Sequence, residues 1–297
     1  MRRTTSVDVQ RATRVGRGRC FGTFGELIQG ALPPDGRDFL VTIPVARWSY
    51  ARFAPEPGRP LRVRPSDRTK SRLLVERMLG RYGLDVGGLL TIRSTLPLGK
   101  GMASSSADLV ASARAVADAF GLALNPAEIE DSLRGIEPSD GVMYDAVVAF
   151  CHREVCLLRE LGRLPPLTIV GMDEGGTVDT VAFNEVPKAY GEAEIREYEA
   201  MLAAADEAVR SGDVRTLGRL ATRSAEMNQR LQPKRLLTQA VELSARAGAL
   251  GVVAAHSGTR LGVLLADTDP DYDAKLAYLT AACGELTDSL NVEYTLA

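Results

Sequence analysis

Pro97-Leu98-Gly99-Lys100-Gly101-Met102-Ala103-Ser104-Ser105-Ser106-Ala107 is the stretch on which the reading of this chain turns. It follows an apolar, strand-like run at 89–92 and opens the clearest helical pattern in the sequence. Leu109, Ala113, Val116 and Phe120 fall on one helical face, and Gly121 supplies the stop. Two glycines let the backbone approach a bound anion closely. Three hydroxyl residues then stand at the helix start, where free N–H groups and the helix dipole favour phosphate. The competing reading is a plain serine N-cap, although a cap needs one serine and not three behind two glycines. The loop is not a G-x-x-x-x-G-K-[ST] sequence.

Around this loop the chain is ordinary for a globular protein. It has 297 residues, with 36 Lys and Arg against 38 Asp and Glu, a formal charge of −2. That balance gives no reason to expect a nucleic acid or an anionic membrane as partner. No apolar run approaches the ~20 residues of a membrane span. Residues 1–18 are basic, lack the apolar core of a secretory signal, and read as a disordered tail. Four scattered Cys and two His argue against a disulfide framework and a histidine-rich metal site, so reduced thiols in a cytoplasmic protein are expected.

Strand-like runs at 39–45, 48–53, 89–92, 155–158, 168–170, 252–255 and 261–265 interleave with helical patterns. The helices are expected at 71–82, 105–120, 126–134, 193–211, 214–229, 236–247 and 271–283. Arg163-Leu164-Pro165-Pro166 breaks the pattern and marks a junction between units at 19–165 and 166–297. The fold class is α+β, as two layers packed side by side. The 173–180 stretch, DEGGTVDT, lacks the spaced carboxylates of an EF-hand and reads as a turn between strands.

Three further segments carry candidate chemistry. Glu26 and Gln29, in Gly22-Thr23-Phe24-Gly25-Glu26-Leu27-Ile28-Gln29-Gly30, are spaced to share one face of a turn or helix, or form a surface pair. Glu137-Pro138-Ser139-Asp140 places two carboxylates around a helix end, as metal ligand and base or as a solvated turn. His256 and Ser257 lie in Ala255-His256-Ser257-Gly258-Thr259-Arg260-Leu261-Gly262, a strand-to-turn position, as ligand contacts or as a structural histidine and its neighbour. Lys234 is a lesser candidate near a helix end. Cys151, His152 and Cys156 are assigned no function.

Together these segments resemble the motifs of the GHMP small-molecule kinases. In the loop, Pro97, Gly101, Ser104, Ser105 and Ala107 match that family's P-x-x-x-G-L-G-S-S-A-A, while Met102, Ala103 and Ser106 depart conservatively. The 22–30 and 255–262 segments fall where the family has its first and third motifs. Within the superfamily, the GELIQG, KGMASSSAD, IEPSD and AHSG wording is similar to the L-threonine kinases that supply the linker of the cobalamin nucleotide loop. Phe24 departs from them, standing where those kinases have Cys.

The resemblance implies a two-domain GHMP kinase fold, with the ATP and acceptor sites in the cleft between domains. It implies ATP at Pro97, Leu98, Gly99, Lys100, Gly101, Met102, Ala103, Ser104, Ser105 and Ser106, and Mg²⁺ on Ser105 and Glu137. Asp140 would orient or deprotonate the acceptor hydroxyl, or stand behind the metal. Glu26, Gln29, His256 and Ser257 would border a small hydroxy-amino acid, most simply L-threonine. A kinase for another hydroxy-amino acid or amino alcohol, and a ligand-binding regulator without turnover, are the alternatives. The sequence leaves a homodimer open.

Overall fold

The computed structural model describes residues 14–178 and 188–296. In chain order it builds β1 (Gly16–Leu32), β2 (Arg37–Glu56), β3 (Leu61–Arg64), α1 (Thr69–Arg81), β4 (Gly87–Ser94), α2 (Ser104–Phe120) and α3 (Pro126–Leu133). There follow β5 (Val147–Cys151), β6 (Cys156–Gly162), β7 (Leu167–Asp173), α4 (Glu192–Ser211), α5 (Val214–Asn228), α6 (Leu237–Ala247), β8 (Gly251–Ala254), β9 (Arg260–Ala266), α7 (Tyr272–Gly284) and β10 (Leu290–Tyr294). The class is α+β, as the pattern predicts.

The strands form one sheet in the order β10-β7-β9-β8-β1-β2-β4-β3, with β5 pairing β2 and β6. Its two halves meet where Glu26 of β1 stands opposite Ala254 of β8, and again at an isolated bridge between Val45 of β2 and Thr295. One large core runs through β1, β2, β4, α1 and α2 and takes in α4 and α5. A smaller core joins β7, β8 and β9 to α6 and α7.

The helix that opens at the serine run is the hub of the larger core. Leu109, Ala113, Val116 and Phe120 are buried as their spacing predicts, and so are Ala111, Ala115 and Ala119. Small residues are needed there because β1 lies against the helix backbone. A Cβ added at Gly16 would sit 2.0 Å from the Ala115 carbonyl oxygen, and one at Gly18 would sit 2.2 Å from that of Ala111.

Two expectations change. The 39–45 and 48–53 runs are one long strand, β2, whose first half pairs with β5 and whose second half pairs with β4. The 22–30 segment is not a turn or helix but the middle of β1, with register shifts around Thr23, Glu26 and Ile28. Its glycines and polar residues hide the alternation by which a strand is recognised. Residues 16–18, read as tail, begin that strand; residues 1–13 and the 179–180 end of the DEGGTVDT stretch lie outside the described residues. All four cysteines are unbridged. Among the described residues no helix is long and apolar enough to cross a membrane.

Candidate active site

Backbone contacts bring the three motifs together. Gly25 N–H donates to the Gly101 carbonyl at 2.9 Å, and Thr23 N–H to that of Met102 at 3.3 Å. Gly258 lies so close to the loop that a Cβ there would be 2.4 Å from the Lys100 carbonyl carbon. Gly101, at φ 76°, faces Ala255 with room for no side chain. Glycine is required at both places by contact distance, not only by flexibility.

The start of α2 shows why serine capping is not the explanation of the loop. The N-cap is Ala103, in the left-handed region at φ 53°, and no side chain caps the helix. A non-glycine residue held there is strained, as functional turns often are. The serine hydroxyls turn instead to the carboxylates of the 137–140 segment. Ser105 Oγ donates to Glu137 Oε1. Ser106 Oγ donates to Asp140 Oδ2 at 3.2 Å and accepts the Asp140 backbone N–H at 3.1 Å. Ala103, Ser104, Ser105 and Ser106 line a cavity of about 110 Å³ with both carboxylates on its wall.

Glu26, Ser257, His152 and loop residues complete that wall. Asp140 is pushed up to about 7, by burial first and then by the Glu26 carboxylate, with the Ser106 hydrogen bond working against the rise. Glu137 is 4% exposed at its side chain and also holds Lys70 Nζ, from the first turn of α1. Nothing in the linear sequence marks Lys70, which looks like any solvated lysine at a helix start.

Glu26 is fixed from the far side. Its Oε2 accepts the His256 backbone N–H at 2.9 Å and lies 3.1 Å from His256 Nδ1. Nδ1 is also 3.1 Å from the Ala254 carbonyl, so two acceptors place the proton on that nitrogen. His256 Nε2 then accepts from Ser224 Oγ at 2.9 Å, and Ser224 in turn accepts Gln29 N–H at 3.1 Å. Both ring nitrogens of His256 are thus engaged by the protein. Ser224, on α5, carries no sequence signal. Gln29 is buried beside this chain, and its Oε1 accepts no hydrogen bond among the described residues.

Two lysines are held differently from their sequence readings. Lys100 Nζ lies 2.9 Å from Asp173 Oδ2 and donates to the Gly176 carbonyl at 2.6 Å. Asp173, although buried, is held below the usual carboxylate range by Lys100, Thr259 and the Gly175 N–H. Lys234 is buried, donates to the Gly258 carbonyl at 2.6 Å, and is pushed down to about 8 by that burial. It supports the turn that carries Ser257. Leu98 stands exposed at the mouth of the loop, while the Met102 thioether points inward and accepts from Arg260 at 3.0 Å.

Phe24 is fully buried, with Arg260 lying 5.9 Å from its ring centroid and Gly171 against its edge. It is not on the cavity wall. Phe24→Cys is therefore expected to lower stability by roughly 2–4 kcal/mol in denaturant titration, through an unfilled core volume. The acceptor preference of the variant should equal that of the parent in competition assays.

Comparison with known proteins shows the family and the fold of the chain. Residues 70–152 match the family described as GHMP kinases N terminal domain. The L-threonine kinase of Citrobacter freundii is 30% identical over 260 residues, covering 86% of this chain and 88% of that protein. The L-threonine kinase of Salmonella typhimurium is 29% identical over 255 residues, covering 83% and 82%. Among solved structures, a homoserine kinase from Cytophaga hutchinsonii superposes with a TM-score of 0.72 at 14% identity, covering 95% of each chain. A mevalonate kinase from L. major, in complex with R-mevalonate, superposes at 0.67 with 20% identity, covering 95% and 94%.

Proposed function

This chain belongs to the GHMP kinases, phosphotransferases acting on a hydroxyl group, and we propose that its acceptor is the side-chain hydroxyl of L-threonine. The observation that carries the reading is the pairing of Ser105 with Glu137 and of Ser106 with Asp140 at the uncapped start of α2. The likeness to L-threonine kinases over most of the chain supplies the substrate class.

The 97–106 loop and the first-turn N–H groups of α2 receive the ATP phosphates. Ser105 and Glu137 would hold Mg²⁺ through their hard oxygens. That donor set fits, since Glu137 is a buried carboxylate already facing a cation, Lys70. The metal supplies charge neutralisation for the transferred phosphoryl group.

Asp140 accepts the proton of the acceptor hydroxyl, a role that suits a carboxyl group poised near neutrality. Glu26 faces the acceptor ammonium, and His256 with Ser224 holds that carboxylate in place. Ser257 closes the wall beside it. The O-phospho-L-threonine product would supply the linker of the cobalamin nucleotide loop.

ADP release with MgATP against L-threonine, L-serine, L-homoserine, D-threonine and 1-amino-2-propanol tests the acceptor. L-Threonine should give the highest kcat/KM. A higher value with any other member of the panel overturns the assignment while leaving the site chemistry standing. Because Phe24 sits in the core, nothing on the cavity wall favours a shifted acceptor.

A further inference from the structure

Cys151 and Cys156 face each other across the β5–β6 hairpin. Phe150 stands opposite Leu157 and Cys151 opposite Cys156, so the two cysteines form the last pair before the turn. Their thiols are close enough to share a hydrogen bond. Residues directly opposite in an antiparallel pair hold their Cβ atoms about 4.5–5.5 Å apart. A disulfide takes ~3.5–4.5 Å, so a small inward shift joins the two. The turn between them is strained, because Val155, buried and β-branched, lies in the left-handed region at φ 51°.

The two sulphurs differ in access. Cys151 is fully buried and is pushed up to about 12, by burial first and then by the neighbouring Cys156. Cys156 is only half-buried. Arg37, at the start of β2, is held above its ordinary value first by these two sulphurs, which puts its guanidinium beside them. A neighbouring cation favours a thiolate. An accessible thiol next to a buried one that can resolve it is the arrangement of redox-responsive cysteine pairs. Cys20 and Cys283 are fully buried, and burial pushes their thiols up to about 12 and about 11.

The hairpin also holds the catalytic segment. His152, next to Cys151, lies on the wall of the cavity that carries Glu137 and Asp140. Its carbonyl accepts the N–H of Ser139, which stands between those two residues in the chain, at 2.9 Å. On the other strand, Leu157 N–H donates to Glu130 Oε1 at 2.9 Å, and the Glu154 carbonyl accepts from Arg134 Nε at 3.3 Å. Both strands are anchored, so the shift that joins the sulphurs falls on the turn, and on His152 with it.

We propose that Cys151 and Cys156 form a reversible disulfide whose closure slows phosphoryl transfer, by displacing His152 and the Ser139 backbone on the cavity wall. This rests on the site being that of a kinase, and not on which acceptor the kinase takes. The oxidant is a small-molecule disulfide, such as glutathione disulfide. The Cys156 thiolate attacks one of its sulphurs, forming a mixed disulfide and releasing one glutathione thiolate. Cys151 passes its proton to that thiolate and attacks the Cys156 sulphur, which releases the second glutathione. The cysteines lose two electrons and two protons, and glutathione disulfide becomes two glutathione thiols.

The full chain is equilibrated with glutathione disulfide, alkylated, and digested with trypsin in the absence of reductant. Arg153 lies between the cysteines, so peptides 135–153 and 154–159 stay joined only where the bond has formed. The expected result is that joined pair, with free thiols falling from four to two. In the same sample kcat should be at least about tenfold lower, and dithiothreitol should restore it. Turnover is read with the acceptor that the reduced chain prefers, so a different acceptor leaves the outcome readable. Cys156→Ser should keep full turnover and be indifferent to the oxidant. Cys151→Ala should stop with one glutathione on Cys156. Four free thiols after oxidation, a bridge or mixed disulfide elsewhere, or joined peptides with unchanged turnover overturn the proposal. A Cys156→Ser chain still inhibited by the oxidant overturns it as well.

Discussion

Glu137→Gln is expected to lower kcat by on the order of 10³-fold, the scale of transition-state charge stabilisation that a divalent ion supplies. The substitution keeps the shape of the side chain and its hydrogen bond to Ser105 while removing the negative charge. Lys70 loses its ion-pair partner, but its side chain is 42% exposed and regains water. The folded state should therefore survive, and Mg²⁺ titration should show a midpoint raised at least about tenfold. Steady-state kinetics with a thermal melt of the same sample separates the possibilities. A variant that melts early but turns over normally would make Glu137 a clasp between α1 and α2 and nothing more.

Asp140→Asn should act on activity and stability in opposite directions. As the proton acceptor, its loss costs on the order of 10²–10⁴-fold in kcat. In the parent chain kcat/KM should fall as pH drops through about 7, where the carboxyl takes up its proton. That acid limb should be absent from the residual activity of the variant. For stability, the folded-state value lies above the ordinary 3.8 of an aspartate, so the folded protein keeps a proton that the unfolded chain has released. Stability thus falls as pH rises from about 4 to about 7, and above that range the full cost of a buried anion beside Glu26 is present. The neutral asparagine escapes it. At pH 8 the variant should be more stable than the parent by roughly 1–3 kcal/mol, with the difference vanishing near pH 4. Denaturant unfolding at both pH values measures this. A variant no more stable at pH 8 would mean that Asp140 is ionised at little cost and is not poised as a base.

Such trade-offs mark the residues whose neighbours the linear sequence conceals. Ser105 and Glu137 are legible because one belongs to the phosphate loop and the other to a short carboxylate segment, and the fold brings them together. Lys70 and Ser224 are not, because each sits on a helix with the pattern of an ordinary amphipathic element. His256 is visible as a solitary histidine in a glycine-bearing turn. Its restriction to holding Glu26 comes only from two partners, Glu26 and Ser224, that lie 230 and 32 positions away.

The fold was readable wherever apolar periodicity was clean, as in α2 and β9, whose buried faces follow the pattern. It was obscured in β1, where glycines serve close packing against α2 and polar residues serve the site. Phe24 shows the same limit from the other side. Its position in the first motif suggests a pocket residue, but β1 turns the ring into the core against Gly171.

Phosphorus NMR of the product formed from MgATP and L-threonine tests the central claim most directly. Transfer to the side-chain hydroxyl predicts a phosphomonoester signal split into a doublet by the single proton on the threonine β-carbon, formed at the same rate as ADP and absent from the Glu137→Gln reaction. Inorganic phosphate as the phosphorus product, or a phosphoryl group on the threonine carboxylate or amine, would contradict it.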